Sequence, residues 1–502
     1  MRRAVCGLWV VAVLVLQGQA KDVMAAPADL AELQSVLART VAGTRAPGAS
    51  WGVQVVSLKT GTVWFETNAT RLFVPASNSK LFTVALALDR FGADHRFQTL
   101  LRASAMPGPD GVLAGDLWVE GGGDPSPGGG VAELSALGSF REALTQAGVR
   151  SVRGGLRLRG GWFDTPPYGA GWNWDDLPEA YGAPVGAFVF GDNAARVVFR
   201  AGARPGDVVR VSTELLGDVF DIVSRVKTGP TNRESRVVLR RLPGSRRLEA
   251  WGEVRGGSTY VERMAVPDGD LWFGRALRET LISGGIPVAG GLDISADGEM
   301  PAVALVTVPS LPLSELAALC LKPSNNLLAH QLWLHVGADV RRRPRAGYKV
   351  AVGDDADRAA AAMTRFAAGF GVTADELVME EGSGLSRKNL VTPRATTRLV
   401  RHMAGSAALA AVYRAALPVG GVDGTLKNRF KEAPLKGNVQ AKTGTLRHVN
   451  ALAGHLTTAG GQSVVFAIYV NGFQAADAAA SGRVEMDRMV EALARFAGQG
   501  PE

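Results

Sequence analysis

The sequence predicts an α/β (α+β) domain built from the two ends of the chain and carrying a large, mostly β inserted region that forms one or two extra domains. Three observations lead there. A chain of 502 residues is too long for a single core. Helical periodicity and strand-like apolar runs concentrate in residues 27–95 and 291–502. Between them, residues 96–290 change texture. Gly-rich turns alternate there with short Val/Leu/Arg strands, as in Gly154-Gly155-Leu156-Arg157-Leu158-Arg159-Gly160-Gly161, and a nested third domain is expected at about 186–265.

In chain order, residues 1–26 read as a targeting segment. Arg2 and Arg3 give a basic start, residues 8–16 are apolar, and Gly18-Gln19-Ala20 or Ala25-Ala26 offers small residues for cleavage. The apolar run is short for a bilayer span, so an exported protein of the periplasm or cell envelope is expected, with no transmembrane helix after cleavage. Residues 30–41 have helical periodicity. Residues 52–57 and 63–66 read as strands joined by the hairpin turn Leu58-Lys59-Thr60-Gly61. Pro75-Ala76-Ser77 opens an apolar helical stretch over 81–88. Helical texture returns at 311–335, 354–371 and 396–404. Residues 439–445, 450–455 and 464–470 read as adjacent antiparallel strands, and 485–496 as a closing amphipathic helix.

Composition removes several function classes. Hydrophobic residues at 46% and charged residues at 20% are ordinary for a globular protein. The net charge of +8, or +6 once the targeting segment is removed, suits an anionic polymer or lipid face outside the membrane. Nucleic acid is not expected, because Arg341-Arg342-Arg343-Pro344-Arg345 has no aromatic interleaving and reads as a solvated loop. Cys6 lies in the targeting segment and Cys320 in an apolar string, so no internal disulfide is expected. His95, His330, His335, His402, His448 and His455 are scattered, so no metal centre is legible and no cofactor is expected. No G-x-S-x-G elbow presents a serine.

One constellation does carry chemistry. Ser77-Asn78-Ser79-Lys80 is S-x-x-K at a helix start. A serine hydroxyl is a poor nucleophile until a base takes its proton, and a lysine three residues on lies on the same helical face. To act as that base the amine must be neutral, so burial and nearby cations must lower its pKa by roughly three units. Ser324-Asn325-Asn326 is S-x-N, with a hydroxyl able to relay a proton and an amide able to hold lysine and substrate. Lys442-Thr443-Gly444-Thr445 falls on an expected strand, where Thr443 and Thr445 share one face, Lys442 emerges from the other, and Gly444 leaves room. The backbone N–H groups of Ser77 and Thr445 would make an oxyanion hole.

Lys-Thr-Gly occurs three times, at Lys59, Lys227 and Lys442. The first sits in a hairpin turn, and the second overlaps a stray S-x-x-K, Ser224 to Lys227, closed by Pro230. Only Lys442 is followed by further strands and a helix. S-x-N occurs once.

The trio in that order resembles the signature of penicillin-binding proteins and class A β-lactamases. Over nearly the whole mature chain the sequence looks like the DacB-type D-alanyl-D-alanine carboxypeptidase/endopeptidases, the low-molecular-mass class C penicillin-binding proteins. The stretches that carry this are residues 71–80, Gly121-Gly122-Gly123-Asp124-Pro125-Ser126, Gly382-Ser383-Gly384-Leu385-Ser386-Arg387, residues 417–425 and residues 441–445. Ser77 and Ser324 lie 247 positions apart, far more than a compact β-lactamase has there. Two departures are Asn325 and the Glu380-Glu381 pair, where the family usually has Asp.

The resemblance implies a serine transpeptidase/β-lactamase-like domain and a D-alanyl-D-alanine carboxypeptidase, with D,D-endopeptidase work on peptidoglycan stem peptides. Ser77 would be acylated, Lys80 the base, Ser324 the relay and Asn326 the positioning amide. Lys442 and Thr443, with Gly444 and Thr445, would bind the terminal carboxylate. β-Lactam antibiotics would acylate the same serine. Asp176 and Arg387 would meet a diaminopimelate side chain. The insertion, holding none of the trio, is expected to serve substrate delivery. The alternatives are a β-lactamase-like serine hydrolase or esterase, which lacks an evident Glu-x-x-x-Asn water-activating motif here, and a catalytically silent wall-binding protein, which would have lost Ser77, Lys80 or Lys442.

Overall fold

The computed structural model describes residues 26–126, 133–294, 299–343, 353–474 and 481–501; residues 1–25 of the targeting segment lie outside them. The two ends of the chain share one antiparallel five-stranded sheet, in the order Gln440–Leu446, Val449–Thr457, Ser463–Asn471, Ser50–Ser57, Val63–Thr67. Its middle strand reads Val464-Val465-Phe466-Ala467-Ile468-Tyr469-Val470, apolar at every position and buried throughout. A strand with no polar face needs cover on both sides. Leu30–Ala42 and Arg483–Arg495 cover one side, packing Leu33, Leu37, Met486, Met489 and Leu493 on Val53, Phe466 and Ile468. The first of these helices is capped by Asp29, whose carboxylate accepts from Glu32 N at 2.8 Å.

On the other side Pro393–Gly405 and the turn Ala76–Asn78 lie on the sheet, with Ser79–Phe91, Leu313–Leu321 and Asn326–Arg342 packed behind them in one apolar cluster. Ser79–Phe91 is buried at every position from Ser79 to Leu88, which accounts for an apolar stretch without a polar face. The helical run expected over 311–335 is two helices. Residues 322–325 break it, and Asn325 caps the second helix by accepting from Leu328 N at 2.9 Å. That break places Ser324 in a loop, with a left-handed φ of 66°.

The inserted region holds a five-stranded sheet ordered Leu292–Asp293, Leu156–Arg159, Leu117–Glu120, Gln98–Ala103, Val303–Pro309. Helices Gly138–Gln146 and Gly269–Ser283 lie against it. Two of those strands fall past residue 290: Val303–Pro309 runs antiparallel to Gln98–Ala103, with Val308 opposite Thr99. Two smaller sheets follow within the insertion. One is Thr259–Ala265, Ala194–Arg200 and Arg210–Thr213; the other is Asp221–Gly229, Arg247–Arg255 and Arg236–Arg241. A single apolar cluster runs through all three sheets, from Leu101 and Leu158 to Phe199, Val226 and Leu248.

Candidate active site

Ser77 lies in a one-turn 3₁₀ segment, Ala76–Asn78, that leads directly into the buried helix. Ala76 before it has a left-handed φ of 46°, unusual for a residue with a Cβ. With Ser324, it gives the site two strained backbone positions, each costing roughly 1–3 kcal/mol. Such positions persist where the surroundings fix them.

Lys80 is one helical turn beyond Ser77 and 0% exposed. Its Nζ donates to Ser77 Oγ at 3.0 Å, to Asn326 Oδ1 at 2.6 Å and to the Ser383 carbonyl at 2.6 Å. Burial lowers its pKa to about 8, against the opposing fields of Cys320 and Glu381. Beside it, Lys442 is also 0% exposed. Its Nζ donates to Ser324 Oγ at 2.8 Å and to the Thr443 carbonyl at 2.9 Å. Burial, followed by the charge of Lys80, holds Lys442 well below the ordinary lysine range. Cys320 lies beneath both amines, and burial pushes its thiol up to about 11.

The strand Gln440–Leu446 is the sheet edge, so one row of its amides is unpaired by the neighbouring strand. Ala441 N donates outward to Pro418 O, and by alternation the amides of Thr443 and Thr445 point the same way. Gly444 lets this edge approach the turn that carries Ser77: a Cβ there would lie 2.6 Å from Pro75 O and 3.2 Å from Ala76 Cβ. Thr445 N–H therefore borders the Ser77 turn, where the oxyanion hole is expected. Thr443 Oγ1 donates to Thr425 Oγ1 at 2.8 Å, and Thr445 is exposed.

The Lys-Thr-Gly tripeptides at Lys59 and Lys227 fall elsewhere. Lys59 is exposed in the hairpin turn between the first two strands. Ser224 and Lys227 lie on the strand Asp221–Gly229, where residues three apart point to opposite faces. Asp176 accepts from Asn173 Nδ2 and from Tyr181 Oη, both at 2.9 Å. Arg387 is exposed and donates to the Arg447 carbonyl at 2.6 Å, just past the strand that carries Lys442.

Two features of the site escape sequence reasoning. Glu381, 0% exposed, collects the loop under Lys80: its carboxylate accepts from Ser383 N and Gly384 N at 2.7 and 2.6 Å, Ser383 Oγ at 2.6 Å and Asn389 Nδ2 at 3.0 Å. The signal was the string of small residues after it, whose amides can converge on one carboxylate. The insertion also reaches the network, since Trp172 Nε1 donates to Glu381 at 3.2 Å and the Tyr181 carbonyl accepts from Asn326 Nδ2 at 2.9 Å. A region expected only to deliver substrate therefore touches the groups around Lys80.

A helix-borne serine against a buried lysine, flanked by a second serine–lysine pair and an edge strand with free amides, defines a serine hydrolase that works through an acyl-enzyme. The D-Ala-D-Ala carboxypeptidase 3 (S13) family model matches residues 33–495, and the chain belongs to that family. It is 32% identical over 498 residues to a D-alanyl-D-alanine carboxypeptidase of Actinomadura sp., covering 95% of this chain and 87% of the relative. It is 26% identical to D-alanyl-D-alanine carboxypeptidase DacB of Haemophilus influenzae, covering 86% and 87%. The crystal structure of penicillin binding protein 4 (dacB) from Haemophilus influenzae superposes with a TM-score of 0.74 at 24% identity, over 91% of this chain and 97% of that one, so the fold is shared.

Proposed function

We propose that this protein is a serine D-alanyl-D-alanine carboxypeptidase that trims peptidoglycan stem peptides, with D,D-endopeptidase activity on crosslinks, in the periplasm or cell envelope after export. The observation that carries the proposal is the 3.0 Å contact between Lys80 Nζ and Ser77 Oγ inside a fully buried lysine environment. Neutral Lys80 takes the Ser77 proton as Oγ attacks the carbonyl between two D-alanines. The negative charge formed on that oxygen faces the amides of Ser77 and Thr445. The amide C–N bond then breaks, the leaving D-alanine nitrogen receives a proton through Ser324, and water hydrolyses the acyl-serine. A crosslink also presents a D-alanyl carbonyl, so the same steps cut it.

Asn326 holds Lys80 in place, and Lys442 acts on Ser324 from below. The direct carboxylate contact expected of Lys442 passes to the hydroxyls of Thr443 and Thr445, because the Lys442 amine is fully buried whereas Thr443 is half-buried and Thr445 exposed. Asp176 and Arg387 are the side chains proposed to meet a diaminopimelate ammonium and carboxylate. β-Lactams, whose leaving group stays tethered, would leave a lasting acyl-serine. The domain reading is a transpeptidase-like unit interrupted by an insertion that extends to about residue 309, the end of the strand paired with Gln98–Ala103.

The test is labelled penicillin followed by peptide mapping, beside D-alanine release from a stem pentapeptide in the presence of a chelator. One label per chain on the Ser77 peptide, lost in Ser77→Ala, is expected. Label on Ser224, or release that stops with chelator and returns with zinc, would sink the reading. Label that clears within milliseconds would favour a β-lactamase.

A further inference from the structure

Lys80 has three hydrogen-bond partners: the nucleophile, Asn326 Oδ1 and the Ser383 carbonyl. The last two fix where the amine sits relative to Ser77 Oγ. Each is anchored in turn by the same short piece of the inserted region. Asn326 Nδ2 donates to the Tyr181 carbonyl at 2.9 Å, which sets the amide plane and turns Oδ1 toward Lys80. Ser383 is held through Glu381, which accepts from the Ser383 amide at 2.7 Å and its hydroxyl at 2.6 Å, and Glu381 itself accepts from Trp172 Nε1 at 3.2 Å. The distance in sequence, 209 residues between Trp172 and Glu381 and 145 between Tyr181 and Asn326, makes both links tertiary contacts.

The segment between the two links is braced. Asp176 accepts from Asn173 and from the Tyr181 hydroxyl, and Gly182 N donates to Glu179 O. Gly182 packs so closely on Asp176 that a Cβ would lie 2.1 Å from the Asp176 carbonyl oxygen. Trp172 is buried against His330, with ring centroids 5.4 Å apart.

We propose that residues 172–182 of the insertion are a positioning strap for the base: Trp172, through Glu381, and the Tyr181 carbonyl, through Asn326, set both of the fixed anchors of Lys80. The strap does not touch the reacting atoms. It determines how well the amine is held against Ser77 Oγ, and it places the Asp176 side chain on the same braced loop, so a stem peptide gripped there would bear on the base as well. The proposal rests on the reading of Ser77 as nucleophile and Lys80 as base.

The charged and titratable groups that act on Lys80 are Glu381, Cys320 and Lys442. This gives the strap an electrostatic signature. Trp172→Phe keeps the aromatic body but removes the N–H that partly neutralises Glu381. Its carboxylate then stabilises protonated Lys80 more strongly, and the rising limb of acylation against pH moves to higher pH. Glu381→Gln removes the negative charge, and the limb moves to lower pH. A merely structural role would lower both rates without opposite pH displacements.

The experiment measures second-order acylation of Ser77 by labelled penicillin across pH, with thermal melts to check folding. Trp172→Phe is expected to slow acylation about tenfold, the equivalent of one hydrogen bond to a charged group. Gly182→Ala, which displaces the turn carrying the Tyr181 carbonyl, is expected to slow it to a similar extent. Trp174→Phe, 67% exposed on the same segment, should acylate as the parent does. Parental rates and an unmoved limb in both Trp172→Phe and Gly182→Ala would overturn the strap. Label away from Ser77, or undiminished labelling in Lys80→Ala, would instead overturn the underlying assignment of nucleophile and base.

Discussion

A lysine buried as completely as Lys80 is a poor structural residue and a good base. With its pKa near 8, the neutral form grows as pH rises through that value. Acylation of Ser77 is therefore expected to climb tenfold per pH unit below about pH 7, to reach half its maximum near pH 8 and to level off above about pH 9, read as labelling rate against pH. Lys80→Ala should cost roughly 10²–10⁴ in that rate, the usual worth of general-base help; a pH-independent parental rate would remove Lys80 from the role. Lys442 separates two readings at the same scale. Since its amine donates to Ser324, Lys442→Ala should slow turnover of a neutral ester and of a carboxylate-terminated peptide alike. A loss confined to the carboxylate substrate would return it to direct binding. The cluster of Ser77, Lys80, Ser324, Asn326 and Lys442 was legible in the sequence because the acyl-serine chemistry proposed for it needs fixed residue types at fixed short spacings. Trp172 was not, because what it does depends on a contact spanning 209 residues, and Glu381, whose bonds to Ser383, Gly384 and Asn389 are local, supports Lys80 only once that loop folds against the helix.

Elements meet at this site through loops that tolerate no extra atoms. The strands of the terminal sheet and the helices around it were legible from period and composition. The break at residues 322–325 was not, because the apolar pattern runs on through it and only the cap at Asn325 and the left-handed Ser324 end one helix and begin the next. The same economy governs the loop from Glu381 to Ser386. Gly384 has a φ of 81°, and a Cβ there would lie 1.9 Å from the Ala76 carbonyl oxygen. Gly384→Ala must therefore push apart the loop that holds Lys80 and the turn that presents Ser77. A loss of about 2–4 kcal/mol in unfolding free energy is expected, part of it the left-handed backbone penalty of roughly 1–2 kcal/mol. Acylation should fall further than stability explains, measured by denaturant melts beside labelling rates at a temperature where the variant is folded. Parental acylation in this variant would mean that the loop does not set the base.

For the whole molecule, the insertion divides by what it touches. Residues 172–182 reach Glu381 and Asn326, whereas the strands from Asp221 to Arg255 face the insertion's own apolar cluster and meet residues 172–182 only through the charge of Arg241 on Glu179. The sequence marked the insertion by its texture but gave no reason to divide its work, since none of the three motifs lies within it. Its far boundary was also hidden: Val303–Pro309 joins the inserted sheet by pairing with Gln98–Ala103, some two hundred positions earlier in the chain, and local pattern carries no record of a partner. The division predicts two different outcomes for two deletions. Arg200 and Thr259 are register partners on adjacent antiparallel strands, so a two-residue turn can replace residues 201–258 without moving either strand. That variant loses cover over Phe199 and the charge of Arg241 beside Glu179, and should melt at lower temperature, yet it should acylate Ser77 within about threefold of the parent, because the hydrogen-bond partners of Trp172, Asp176 and Tyr181 all lie outside residues 201–258. Replacing all of residues 96–290 removes both anchors of the base along with the cover, and should depress acylation by an order of magnitude or more in any soluble product. Labelled penicillin reads both, with melts as the control for folding. Equal acylation by the two variants would assign the insertion to substrate delivery alone, and loss of acylation in a folded form of the smaller deletion would place part of the site in the outer sheets.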